Sequence, residues 1–294
     1  MEKIELNLLN EFISNKDISQ SEKDTIIGTT LGDNHIRRSS KTSLVSLSYG
    51  YYNKIYSNFV LSKLKNLSNQ VSAKENKNLD TRYNKIRFSY SFSIRGLSSL
   101  ISFGNLFTKL IIKDGKEVFV KVIPSFNIMY ELLTPGALAF WIMDDGHNYK
   151  RGGITLCTDS FTLIEVQTLI KVLEQKFKLS CTLHKKKNKI GTSYYYRIYI
   201  RSCSLPLLHS LVSEYMLTEM MYKIKFRVKD NFSQTKKNIK ARASRQVIKD
   251  WQKKHGPNTF PPKPSRVYSS NPRAIKARLA RQAKKQIFFP DNSK

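Results

Sequence analysis

The sequence predicts an α+β protein made of two similar halves and a strongly basic extension. Three observations carry that reading. The residues up to about 230 run twice through the order helix, strands, helix, strands, helix. Two long segments, one in each half, alternate apolar with basic or polar residues at period two, as antiparallel strands with one packed face and one wet face do. The chain has 294 residues and is 40% hydrophobic and 11% aromatic, enough apolar side chain for a core in one large domain or two small ones.

In the first half, Asp24 is placed to cap a helix through Ile26, Ile27, Gly28 and Leu31 that ends at Gly32-Asp33. A strand-like run from Leu44 to Tyr49 follows, then a helix across Tyr56 to Leu64. The strand from Tyr83 to Phe92 puts Ile86, Phe88, Tyr90 and Phe92 on the face expected to pack, with Lys85, Arg87, Ser89 and Ser91 opposite. A further helix is expected over about Leu97 to Leu110.

The second half is patterned more sharply. Thr134-Pro135 supplies an N-cap and a first helical residue for a short apolar helix through Leu138, Ala139, Trp141 and Ile142, ending in Asp144-Asp145-Gly146. After a strand from Gly153 to Thr158, the capping box Thr162-Leu163-Ile164-Glu165 opens a helix with Leu163, Val166, Ile170, Leu173 and Phe177 on one stripe. Two more strands follow. In the second of them Tyr196, Ile198 and Ile200 alternate with Tyr195, Arg197, Tyr199 and Arg201, and a last helix lies near Leu205 to Tyr215. The chain thus divides into an N-terminal extension (residues 1–20), a first repeat (21–125), a second repeat (126–230) and a basic tail (231–294).

Charge narrows the function. With 51 Lys and Arg against 22 Asp and Glu, the formal net charge is +29, and the pI is near 10.0. Such a field repels itself in the compact state and points to a polyanionic partner, nucleic acid by default. A membrane is not expected, since the longest apolar run, Ala137 to Met143, falls far short of the roughly 20 residues that span a bilayer. Neither a signal peptide nor a transit peptide is visible at the N-terminus. Cys157, Cys181 and Cys203 are odd in number and widely spaced, which suggests neither a disulfide framework nor a zinc site. The tail carries seventeen Lys and Arg against Asp250 and Asp291, and its prolines divide it into two expected helices, Thr235 to His255 (with Gly256 as a stop) and Asn271 to Phe289.

Each half ends its first helix on a carboxylate: Asp33 in IIGTTLGDNHI and Asp145 in LAFWIMDDGHN. A helix C-terminus carries partial negative charge, so a carboxylate there calls for a compensating cation. Hard oxygen donors of this kind suit Mg²⁺, which keeps several waters and uses one or two carboxylates plus substrate phosphate.

These segments, together with LTPGALAFWIMDDG, TDSFTLIEVQTLIKVLEQKFKL and MLTEMMYKI in order, resemble the LAGLIDADG homing endonucleases, particularly the monomeric subclass encoded in organellar introns. The resemblance covers most of Thr25 to Ile224. It implies two αββαββα repeats whose motif helices pack side by side at a pseudo-two-fold axis, with antiparallel sheets forming a saddle over DNA. Gly28 and Gly32, four apart, would permit close backbone approach, whereas Phe140 and Trp141 occupy positions where smaller or aliphatic residues are commoner. By the same resemblance Asp33 and Asp145 bind the catalytic metals, one acting on each strand, while Lys121 and Lys223 are the basic residues beside each centre. Asp144 faces Gly32 in the motif alignment and is a helix-end residue before it is a ligand.

Lys85, Arg87, Tyr195, Arg197, Tyr199 and Arg201 on the strands, Arg37 and Arg38 after the first motif, and Lys236 and Lys237 in the tail are the expected nucleic-acid contacts. Two functions fit. One is a site-specific double-strand DNA endonuclease, a monomeric pseudo-dimer that is made and acts in an organelle such as the mitochondrial matrix. The other is a binder of structured intron or ribosomal RNA, a maturase or a component of a large RNA assembly, which the basic tail favours.

Overall fold

The computed structural model describes residues 2–38, 43–149, 152–187, 191–226, 245–257 and 259–261. The chain divides into two compact units, Met1–Arg227 and Val228–Lys294. The first unit opens with α1 (Glu2–Ser14) and α2 (Gln20–Leu31), then β1 (His35–Arg38), β2 (Val45–Tyr51), α3 (Lys54–Lys63), β3 (Lys74–Asp80), β4 (Lys85–Leu97) and α4 (Ile101–Phe107). A hairpin of β5 (Thr108–Lys113) and β6 (Lys116–Lys121) and the short α5 (Phe126–Leu132) lead to the second run. That run comprises α6 (Pro135–Asp145), β7 (Gly146–Asn148), β8 (Ile154–Leu156), α7 (Leu163–Phe177), β9 (Cys181–Lys187), β10 (Tyr194–Ile200) and α8 (Leu205–Val212).

From α2 to α4 and again from α6 to α8 the order is αββαββα. Each run builds an antiparallel four-stranded sheet of matching topology, β1-β2-β4-β3 and β7-β8-β10-β9. The fold is the α+β, two-repeat architecture the sequence predicts.

Local chemistry explains most of the elements. Thr134 caps α6 by accepting from the Ala137 N–H, with Pro135 in the first turn, and Thr162 and Glu165 form the expected capping box on α7. The start of α2 differs from expectation. Ser19, not Asp24, is its N-cap, in a capping box with Glu22, and the helix begins at Gln20. Asp24 lies one turn inside and is used sideways, as described below. The helix expected to reach Leu110 ends at Phe107, because the chain turns there into β5. α1 is an integral part of the unit: it packs on α4, and Phe12 is fully buried against Phe103 with ring centroids 5.4 Å apart.

The core is continuous across both repeats, from Ile26, Leu47, Ile94 and Phe103 to Trp141, Leu156, Leu173, Ile198 and Leu208. On β10 the alternation holds, with Ile198 and Ile200 buried. On β4 it holds only at the base. Phe92 and Ile94 are buried, but Ile86 is 63% and Phe88 43% exposed, so the outer half of the β3–β4 hairpin lies outside the core formed by the described residues. Among the described residues no helix is long and apolar enough to cross a membrane.

In the second unit residues 245–255 are helical, Gly256 at φ +92° ends the helix as expected, and Trp251 stacks on His255. The N-terminal part of that expected helix, the whole of the second tail helix, and Lys236 and Lys237 lie outside the described residues.

Candidate functional site

α2 and α6 pack against each other along their length at the centre of the first unit. Glycine makes this possible. A Cβ on Gly28 would fall 2.2 Å from the Ala137 carbonyl oxygen and 2.5 Å from Phe140 Cβ, and one on Gly32 would fall 2.4 Å from Asp144 Cβ. Gly28 therefore lets the two helix backbones meet at Ala137 and Phe140, and the Phe140 ring stacks on Phe59 of the other repeat at 5.9 Å. Trp141 is fully buried in the core. Both helices are covered on nearly all sides. α6 is apolar throughout its middle, while two buried threonines of α2 return their hydroxyls to backbone, Thr25 Oγ1 to Ser21 O and Thr29 Oγ1 to Thr25 O, and a third, Thr30, accepts from Asn34 Nδ2 at 2.8 Å.

Two carboxylates join the helices, one at each end of the pair. At the N-terminal end Asp24 of α2 accepts from Thr134 Oγ1 at 2.7 Å and from Gln20 Nε2 at 2.8 Å, in space that only a glycine at 136 leaves free. At the C-terminal end Asp144 of α6 lies against Gly32. Its Oδ2 accepts from the Asp33 N–H at 3.0 Å and its Oδ1 from the Tyr56 hydroxyl at 2.5 Å.

That second end holds every residue that sequence singled out for chemistry. Asp33 follows the end of α2 and is exposed; Asp145 is the last residue of α6 and is half-buried. Asp145 feels the charge of Asp33. Burial and then the charge of Asp33 push Asp145 up to about 7, opposed by Lys121 and Lys223. Desolvation raises Asp33 as well, and Lys223 and Lys121 counter it. Asp144 is raised well above the usual carboxylate range by burial and by Asp33, despite its two donors.

The lysines are placed symmetrically. Lys121, at the end of β6, donates to Thr30 O (2.8 Å), Gly32 O (3.3 Å) and Asn34 O (3.0 Å), the open carbonyls at the end of α2. Lys223 donates to Met143 O and, at 3.0 Å, to Asp144 O at the end of α6. Each ammonium thus neutralises the negative end of one motif helix. Burial lowers both lysine pKa values, and the three aspartates resist that fall. An ammonium has three hydrogens, so Lys121 is saturated by carbonyls, whereas Lys223 makes two such bonds among the described residues.

The expected nucleic-acid contacts fare unevenly. Lys85, Arg37 and Arg201 are exposed. Arg87 is half-exposed and paired with Asp80 at 2.8 Å. Tyr195 lies across the strands from Lys186. Three residues are used internally. Arg197 makes a two-pronged ion pair with Asp159, through Nε at 2.6 Å and through a second guanidinium nitrogen. Tyr199 donates to Gly152 O and stacks on His184. Arg38 shares the core side of β1 with Ile36, and its guanidinium lies 4.6 Å from the centre of the Phe119 ring.

Tyr56 and the reach of Asp144 were not legible in sequence, since they meet across 88 residues. Asn53, which caps α3 and so fixes Tyr56 in its first turn, is the only local cue. Among the described residues no group of three or more His, Cys, Asp or Glu gathers as a metal site, and none of the three cysteines is in a disulfide.

Two αββαββα repeats, joined through their first helices with an aspartate at the end of each, define a pseudosymmetric protein with paired acidic centres beside basic strands. The chain belongs to the LAGLIDADG DNA endonuclease family, whose model matches residues 23–208. It is 32% identical over 229 residues to the cytochrome b mRNA maturase bI2 of Saccharomyces cerevisiae, covering 75% of this chain and 52% of that one. To the probable intron-encoded endonuclease 1 of Wickerhamomyces canadensis it is 26% identical over 219 residues, covering 72% and 87%. The chain thus spans about half the length of the maturase. Among solved structures, the homing endonuclease I-WcaI bound to its DNA recognition sequence superposes with a TM-score of 0.61 at 24% identity, covering 74% of this chain and 92% of that one, which is a likeness of fold.

Proposed function

We propose that the chain is a site-specific double-strand DNA endonuclease in which Asp33 and Asp145 each serve one strand. One observation carries this: the two aspartates, 112 positions apart, stand at the paired ends of α2 and α6 within each other's field. A protein that only bound nucleic acid would gain little from carboxylates set against phosphate, where they repel it.

The donor set fits a hard divalent cation. It offers two carboxylates, of which Asp145 is raised by burial and by the charge of Asp33, with no sulfur or imidazole cluster among the described residues, so that waters and substrate phosphate would complete the shell. When bound, Mg²⁺ supplies the positive charge that favours hydroxide over water and stabilises the phosphate in transit. The chain's own part is positional. Asp33 and Asp145 fix where the cation and attacking water stand. Lys121 and Lys223 hold the helix ends and add positive charge to the phosphate's surroundings. Lys85, Arg87, Arg37, Arg201 and Tyr195 contact the duplex, and the tail, with Lys236 and Lys237, adds affinity through counterion release. The protein works as a monomeric pseudo-dimer in the mitochondrial matrix; the cytochrome b maturase relative supports the compartment.

A second reading, an RNA-binding maturase, is favoured by that same relative and by the basic tail. The test is cleavage. With Mg²⁺ the purified protein should linearise a plasmid carrying the intronless host site, and Asp33→Asn or Asp145→Asn should abolish linearisation, leaving at most nicked circles, while sparing binding. No cutting by the intact protein, with intron or ribosomal RNA co-purifying, decides for the RNA binder.

A further inference from the structure

The two centres are not built alike. α6 runs through Asp145, but α2 stops at Leu31, two residues before Asp33. The carbonyl of Thr29, which the Asp33 N–H would meet in a continued helix, instead accepts from the Gly32 N–H at 3.1 Å and the Asn34 N–H at 3.0 Å. The Asp33 N–H is left to find another acceptor, and the acceptor is the carboxylate of Asp144 from the other repeat, at 3.0 Å. Asp144 is in turn held by the Tyr56 hydroxyl at 2.5 Å and seated against Gly32. No such arrangement can exist for Asp145, because the position that pairs with Asp144 is Gly32, which has no side chain. Among the described residues the lysines repeat the imbalance, three carbonyls on Lys121 against two on Lys223.

We infer that Asp144, clamped by Tyr56, is the positioning residue for Asp33 alone, so that one centre depends on a cross-repeat hydrogen bond and the other does not. This rests on the endonuclease reading only for its consequence, that the two DNA strands are cut by unequal machinery. Removing the clamp disturbs the placement of Asp33 and leaves that of Asp145 unchanged, which converts a double-strand cutter into a nicking one.

Two measurements on the full chain test this. Amide hydrogen exchange at Asp33 should accelerate by about tenfold in Asp144→Ala, and several-fold in Tyr56→Phe, on the scale of a lost intramolecular hydrogen bond. Cleavage of duplex target labelled separately on each strand should slow on the same one strand in both variants, by about tenfold in Asp144→Ala, with nicked product accumulating. Unchanged Asp33 exchange in the folded variants, or equal slowing on both strands, overturns the inference. If Asp144→Ala does not fold, Tyr56→Phe, which removes one hydroxyl, carries both measurements. If the intact protein cuts neither strand, the endonuclease reading fails, and exchange at Asp33 decides the positioning by itself.

Discussion

Replacing Asp145 with asparagine in a chelating buffer separates what the candidate site costs the fold from what it does for chemistry. In the folded protein burial and the Asp33 charge move this carboxyl from 3.8 to about 7. Between those values the folded state holds a proton that the unfolded chain has released, so stability falls as pH rises through the window. The penalty is absent below about pH 4 and complete above about pH 7. At about 1.4 kcal/mol per pH unit the whole displacement would amount to about 4 kcal/mol. Asp145 is only half-buried and shares its repulsion with Asp33, so the recoverable part is about 2 kcal/mol. Asparagine keeps the shape and drops the charge. At pH 8 in EDTA, Asp145→Asn should therefore melt about 4–8 °C above the parent protein, for a unit of this size. At pH 4 the two should coincide. Adding Mg²⁺ should raise the melting point of the parent more than that of the variant, which keeps only the Asp33 centre. Calorimetry or thermal fluorescence across the pH range makes the comparison. An equal gain at pH 4 and pH 8, or none at pH 8, would refute the electrostatic account of the site.

Two further predictions concern the helix pair and the strands. Gly28→Ala sets a Cβ 2.2 Å from a backbone oxygen that cannot swing away, so urea unfolding should show a loss of about 2–4 kcal/mol; a loss under about 0.5 kcal/mol would mean the helices are not in such close contact. Arg201→Ala should reduce the slope of log affinity against log salt by about 1. Arg197→Ala removes a charge already neutralised by Asp159 and should change that slope far less; equal changes would show that the Arg197–Asp159 pair opens on DNA.

Much of the fold was present in local chemistry. The Thr134-Pro135 start, the Thr162–Glu165 capping box and the glycines four apart in α2 each specify a backbone event within one turn of chain, and each is found where the sequence puts it. The repeated order of elements, the two motif aspartates and the surplus of positive charge likewise need no knowledge of distant contacts. The helix start assigned to Asp24 failed because Ser19 and Glu22 offered a complete capping box five residues earlier, which released Asp24 to reach Thr134.

What the sequence by itself determined, then, is the set of elements, their twofold repetition and the residues that bear charge at the helix ends. Only the tertiary structure decided how those charges are spent. Period two tells which residues of β4 share a face, but not that Phe92 and Ile94 are buried while Ile86 and Phe88 on the same strand stay exposed. Likewise a row of arginines and lysines is uniform in sequence, yet Arg197 is held by Asp159, Arg38 lies on Phe119, and Lys121 is bound to three carbonyls. Hydrogen bonds and ion pairs act over about 3 Å, a distance that says nothing of separation along the chain. The meeting of Asp144 with Asp33 and Tyr56 therefore exists only once α2 and α6 are packed together.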